Sequence, residues 1–240
     1  MLIGENTMSE FGRNVKKTRT LIIPFGTVEA HGDHLPINTD TLIIREVIKK
    51  VAEKNNVYMA PPIQYGVCTS TSAHPGTLGI TTQSLRLIAT DIVRSAYAHG
   101  LRNFILISGH GGSLHVSALR EVAENLTQEL DKVKIAALSI YELLGKETQE
   151  IIETKGDSHA GEAETSLVLH LAPKLIKGRS KEEYPRMPKP IAVKDKDKLK
   201  YWPGAVWGNP QKASADKGEK LFKVMVEKVE ELIKRIEKLR

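Results

Sequence analysis

Residues 20–25 (TLIIPF) form a short, mostly apolar run with β-branched side chains that stops at Gly26. Such a run, without polar alternation, predicts a buried strand. The period changes over residues 40–55, where Leu42, Ile43, Val47, Ile48 and Val51 recur at helical spacing. That predicts an amphipathic helix opening near Thr39 or Asp40. A second strand is expected over 57–60, stopped by Pro61 and Pro62, followed by a long polar loop over 64–81. The pattern continues with a helix over 82–99 ended by Gly100, a strand over 103–108 (NFILIS), a turn over 109–112, a helix over 114–130 and a strand over 134–140. Residues 181–209 are rich in proline and charge and predict irregular structure, whereas 214–240 read as one long amphipathic helix. Strands alternating with helices predict the α/β class, with a mostly parallel sheet covered on both faces. No internal repeat or linker divides the chain, so residues 1–240 predict a single domain.

Composition narrows this picture without changing it. The chain has 240 residues, 40% hydrophobic and 27% charged, which is ordinary for a globular protein with a sizeable core. No apolar run approaches the roughly 18 residues of a membrane span, and the first residues lack the apolar stretch of a signal peptide. One cysteine, Cys68, excludes an internal disulfide framework and fits a reducing cytoplasm. The formal charge of +6 comes largely from the last third, where lysine is interleaved with acids and aromatics are sparse. That composition predicts a solvated surface rather than a nucleic-acid-binding face. It also carries the lysine and glutamate bias reported for thermophiles.

Candidate chemistry gathers where strands end, the position at which open parallel sheets carry their functional groups. The first strand runs into Glu29, His31, Asp33 and His34, then Asp40. Glu29, His31 and Asp40 can converge if the loop folds back onto the strand. Carboxylates with an imidazole suit zinc, manganese or ferrous iron better than calcium. A carboxylate such as Asp40 can also bridge two metals about 3.5–4 Å apart. The strand NFILIS ends in Gly109-His110-Gly111-Gly112, which puts a histidine at a strand tip beside permissive glycines. A third cluster, 157–166 (DSHAGEAETS), holds His159, Glu162 and Glu164; two residues apart on a helix, only one of the acids points squarely at a site. The glycines of 109–112 match neither spacing of a phosphate-binding loop, and no GxSxG elbow is present. His99, His115 and His170 read as structural, His99 at a helix end; Asp33 reads as a turn residue and Cys68 as packing.

The strings LIIPFGTVEAHGDHLPINTDT, ISGHGGS and DSHAGEAETS, with VWGNP near residue 206, resemble the creatininase (creatinine amidohydrolase) family in the family's order, over about residues 21–218. The resemblance implies a three-layer α/β/α sandwich with two divalent metal ions at the strand ends. Glu29 would bind one metal and His31 the other, Asp40 would bridge both, and His110 would complete the first metal's ligand set. The second metal takes a carboxylate from the third motif, Glu164 with Glu162 in reserve. His159 stands where the family has a substrate-facing histidine, a proton shuttle; a non-ligating acid, Glu162, is the other candidate. His34 would orient a ligand from behind. Relatives form homo-oligomers.

Two departures bear on substrate. Creatininase proper has Tyr-Glu where this chain has Gly111-Gly112, and usually proline where Asp33 stands. The first argues against creatinine. Among relatives with GHGG, the chain most resembles archaeal formamide hydrolases of flavin and deazaflavin synthesis. Those act on 2-amino-5-formylamino-6-ribosylaminopyrimidin-4-one 5′-phosphate and favour ferrous iron. A phosphorylated small-molecule substrate needs a cationic or N–H partner, for which Arg45 and His74 are candidates. The alternatives are another linear or cyclic amide, creatinine or a modified peptide included, and a non-catalytic binding protein of the same fold.

Overall fold

The computed structural model describes residues 1–185 and 197–239. Strands β1 (Thr20–Phe25), β2 (Tyr58–Met59), β3 (Asn103–Ser108) and β4 (Lys134–Ser139) form one sheet in the order β2-β1-β3-β4, every pair parallel. The register pairs Phe25 with Ser108 and Ser108 with Ser139, so three strand tips lie level. The helices are α1 (Met8–Asn14), α2 (Thr39–Lys54), α3 (Thr82–Ala98), α4 (Ser113–Glu129), α5 (Lys146–Ile151), α6 (Glu162–Leu171), α7 (Lys198–Tyr201) and α8 (Ala215–Lys238).

Alternation along the central strands sorts the core into two layers. Ile22, Ile105 and Ile107 pack with α2, α6 and α8 on one face. Leu21, Ile23, Phe25, Phe104 and Leu106 pack with α3 and α4 on the other. Both faces of β1 are therefore covered, which is why its sequence is apolar without alternation. This is the three-layer arrangement expected. Among the described residues, no helix is long and apolar enough to cross a membrane.

The main elements fall within a residue or two of expectation, apart from β2, which keeps only Tyr58–Met59 of the strand expected over 57–60. Ile140 leaves β4 to open a 3₁₀ turn. Three short helices are additions. Helix α1 is started by a capping box, Thr7 accepting from the Glu10 amide while Glu10 accepts from the Thr7 amide. Helix α5 follows β4, and α7 lies inside the 181–209 stretch expected to be irregular; part of that stretch, and Arg240, fall outside the described residues.

Two glycines let α2 press against the strand tips. A Cβ on Gly26 would collide with the Thr41 backbone, and one on Gly109 with the carbonyl of Asp40. A third close approach joins α8 to α6, where a Cβ on Gly218 would strike the Ser166 carbonyl. Gly218 lies inside a helix, where alanine normally gains about 1 kcal/mol over glycine. Here the overlap reverses the sign, since overpacking costs about 1–3 kcal/mol. Gly218→Ala is expected to destabilise the protein by about 1 kcal/mol or more in urea unfolding; a stabilised variant would contradict the contact.

Candidate metal centre

The level strand tips bring five side chains from four segments together. Glu29 and His31 follow β1, Asp40 sits in the first turn of α2, His110 follows β3, and Glu164 lies in the first turn of α6. Asp40 is at the centre. Its Oδ1 lies 3.2 Å from His31 Nε2, and its Oδ2 lies 3.2 Å from His110 Nδ1. His110 Nδ1 is also 2.7 Å from Glu29 Oε1, and His31 Nε2 is 3.6 Å from Glu164 Oε2. Two donor triplets result, Glu29–Asp40–His110 and His31–Asp40–Glu164, each with ligand-type atoms within 4.8 Å of one another and sharing only Asp40. A third group joins Glu29, His31 and His159.

The surroundings hold these groups rigidly. Thr27 Oγ1 donates to Asp40 Oδ2 at 2.5 Å, and Thr71 Oγ1 donates to Glu29 Oε2 at 2.5 Å. Tyr141 OH donates to Glu164 Oε1 at 2.9 Å, and the Ala160 amide donates to Glu164 Oε2 at 2.6 Å. His31 Nδ1 faces the Glu29 carbonyl at 3.1 Å, so a hydrogen belongs on Nδ1, and Nε2 is the nitrogen that a metal would take in place of its proton. A Cβ on Gly112 would collide with the His110 ring, which explains glycine beside that histidine.

Electrostatically the cluster is a sink for positive charge. Glu29, Asp40 and Glu164 are all buried, and among the described residues no lysine or arginine pairs with them. Burial alone would lower the His31 imidazole, but Asp40, Glu164 and Glu29 around it lift it to about 10. His110 is likewise raised against burial by Glu29 and Asp40. Burial would raise the Asp40 carboxyl, yet His31 and His110 hold it well below the usual range. Buried carboxylates need a compensating cation, and oxygen with imidazole nitrogen is a donor set for zinc, manganese or ferrous iron. The residues present therefore fit divalent metal.

The third motif divides its two acids. Glu164 joins the cluster; Glu162 does not, because it accepts from Thr154 and pairs with Lys217 at 2.5 Å. Its candidacy as a proton carrier at the metals is corrected accordingly. His159 stacks on His31 with ring centroids 4.2 Å apart, and its Nε2 faces the Ala30 carbonyl at 2.8 Å. Burial and the neighbouring His31 lower its pKa. His34 touches no member of the cluster; its nitrogens meet Thr165 Oγ1 at 2.8 Å and Ser180 Oγ at 2.9 Å. Burial and His31 depress it to about 4.

Neither phosphate candidate faces the site. Arg45 is on the outer face of α2, paired with Glu46, and His74 is committed to the carbonyls of Thr71 and Trp202. His99 and His170 are structural as expected, packed against Phe11 and Phe222. His115 is fully buried beside His110, accepts from the Val67 amide and is pushed by burial to about 3. Cys68 is buried, its thiol pushed up by burial.

Thr27, Thr71 and Tyr141 went unnoticed in the sequence. Tyr141 carried a usable signal, since it lies just past the carboxyl end of β4. Trp202 and Trp207 did not, because they reach the site from the 181–209 stretch. Both tryptophans line a cavity of about 1370 Å³ that opens onto the cluster. Gly111 lines it too, and a Cβ there would meet nothing nearer than Ser139 Oγ at 3.9 Å.

A parallel three-layer α/β fold with this donor cluster at its strand tips is the framework of a candidate metal centre. The chain belongs to the creatininase family of amidohydrolases, the creatinine amidohydrolase model matching residues 4–233. It is 30% identical over 232 residues to the mycofactocin precursor peptide peptidase of Mycolicibacterium smegmatis, covering 90% of this chain and 84% of that one. It is 28% identical to the creatinine amidohydrolase of Pseudomonas putida, covering 98% and 96%. Among solved structures, a manganese form of creatininase superposes with a TM-score of 0.87 at 26% identity, covering 98% of this chain and 97% of that one.

The shifted histidines set a pH profile for chelator-treated protein. His31 is raised to about 10, so its contribution is complete below the unfolded value of 6.5 and is lost as pH rises through 10. His34 and His115 are lowered to about 4 and about 3, so their contribution is complete above 6.5 and is lost as pH falls towards those values. Tm of the chelated protein is expected to peak near neutrality and to fall on both sides. Metal should flatten the alkaline limb, because it replaces the His31 proton.

Proposed function

We propose that this chain is a two-metal amidohydrolase acting on an amide of a substrate much larger than creatinine, with a peptide-like chain as first candidate. The observation that carries the size is the cavity of about 1370 Å³, against roughly 300–1,000 Å³ for ordinary small-molecule pockets. Creatinine is a single small ring and would leave most of that volume empty. The similarity to a precursor peptide peptidase supports the peptide-like substrate.

Glu29, Asp40 and His110 would hold one metal, and His31, Asp40 and Glu164 the other. Metals in these positions supply an activated water and a Lewis acid for the amide carbonyl. The chain's own groups do the rest. Thr27, Thr71 and Tyr141 fix the carboxylates, so the donor set is formed before substrate arrives. His159 donates from Nε2 to the Ala30 carbonyl, which leaves the Nδ1 lone pair to take a proton and return it to the leaving amine. Its lowered pKa keeps that nitrogen unprotonated near neutrality. Trp202 and Trp207 wall the cavity beside His159 and limit water there.

A formamide of a phosphorylated pyrimidine riboside is the second reading, favoured by the open space at Gly111. With Arg45 and His74 occupied elsewhere, its phosphate falls to Lys155, which lines the cavity and is exposed; Arg120 lines it too but pairs with Glu142 at 2.6 Å. Ferrous iron goes with this reading, whereas zinc and manganese suit the donor set equally.

The test is chelated protein reloaded separately with Mn²⁺, Zn²⁺ and, anaerobically, Fe²⁺. Each form is offered peptides with modified C-termini, the formylaminopyrimidine ribotide and creatinine. Metal-dependent cleavage of a peptide amide is expected. Formate release from the ribotide alone would establish the second reading, and turnover of creatinine alone would overturn the large-substrate proposal. Asp40→Ala is expected to lose both metals and at least about 10³-fold in kcat, as both ions share that carboxylate; full activity in this variant would refute the bridge.

A further inference from the structure

Glu162 is fully buried although it stands outside the metal cluster. Its carboxylate gathers four donor contacts from three residues. Oε2 accepts from the Thr154 amide at 2.8 Å and the Thr154 hydroxyl at 2.6 Å. Oε1 accepts from the Glu153 amide at 3.2 Å and from Lys217 Nζ at 2.5 Å. Lys217, from α8, also reaches Glu153 Oε1 at 2.6 Å and the Lys212 carbonyl at 3.1 Å. A second carboxylate runs the opposite way: Asp157 accepts the amides of Glu162 at 2.7 Å and Ala163 at 2.9 Å.

One acid on the helix thus holds the loop, and one on the loop caps the helix. Residues 153–163 become a closed clasp. His159 lies inside it, and the chain turns at Ala160 with φ of 48° so that the Ala160 amide meets Glu164 Oε2 at 2.6 Å. On the other side the backbones of His159 and Trp207 pair, at 2.7 and 3.2 Å. An apolar residue would pack α6 against α8 without the cost of burying a charge. Apart from Lys217, every donor Glu162 gathers belongs to the loop that leads to His159.

We propose that Glu162 is a positioning residue for the reaction: with Lys217 as its counter-ion, it clamps residues 153–158 so that His159 is held at the working end of the cavity. The proposal rests on the proton-carrying role of His159 given above.

Glu162→Gln tests it, since the amide group turns an acceptor into a donor against Lys217 or Thr154. Hydrogen exchange read by mass spectrometry should quicken at least about tenfold over 153–158, with β3 and α2 unchanged. On the substrate identified above, kcat should fall about 10²-fold, the cost of a misplacement on the order of 1 Å. KM should stay within about threefold and metal content should equal the parent's. Lys217→Met should give the same pattern and serves if Glu162→Gln fails to fold. Unchanged exchange, or kcat within about twofold of the parent, would overturn the proposal, as would metal loss with the loop still protected. The exchange measurement needs no substrate. A parent protein without amidase activity would therefore sink the function proposed above and leave the clamp to be decided by exchange alone.

Discussion

The structure depends on one carboxylate. Asp40 stands between two imidazoles, with each oxygen turned to a different one, and the rest of the strand-tip architecture serves to put it there. Its position in the first turn of α2 places negative charge at the favourable end of the helix dipole. The helix can come that close only because Gly26 and Gly109 remove the side chains that would keep it away. Parallel pairing sets the tips of β1, β3 and β4 level, so residues following separate strands arrive at one depth. Burial would normally neutralise such an acid; two flanking histidines, or the ions that replace their protons, are what let it stay charged.

Much of this was legible because the relevant signals are local. TLIIPF and NFILIS are apolar on both faces, and a strand buried on both faces has no other way to look. Ligand-type residues directly after those strands were legible for the same reason, since topology puts strand tips at the site. What was not legible depends on partners far along the chain. Glu162 and Glu164 are equivalent by spacing; Lys217 on α8 separates them by claiming the first. Arg45 belongs to a helix whose register was known, yet facing outward excludes it from the cavity, and that orientation follows from the sheet beneath. The α1 capping box, Thr7 with Glu10, is a local signal, but the seven-residue helix it starts has too few apolar positions to show a period.

The site divides into a chemical floor and a variable wall. The floor, built on the sheet and the first turns of α2 and α6, holds ionisable groups in fixed relation. The wall comes from loops and from the segment bearing Trp202 and Trp207. Family members with different named substrates are what such a division produces. A change in the wall or at Gly111 alters what the cavity admits without disturbing the floor, whereas a side chain at 112 would strike His110.

The donors are spread from Glu29 to Glu164, and the helix that sorts the acids of α6 is the last in the chain. Neighbouring strands pair only across a whole intervening helix, so few of the contacts that assemble the centre are local. In the order of synthesis Glu29, His31 and Asp40 come long before Glu164. The donor set is therefore complete only when the chain has reached α6, and the lysine that sets Glu162 apart arrives after it.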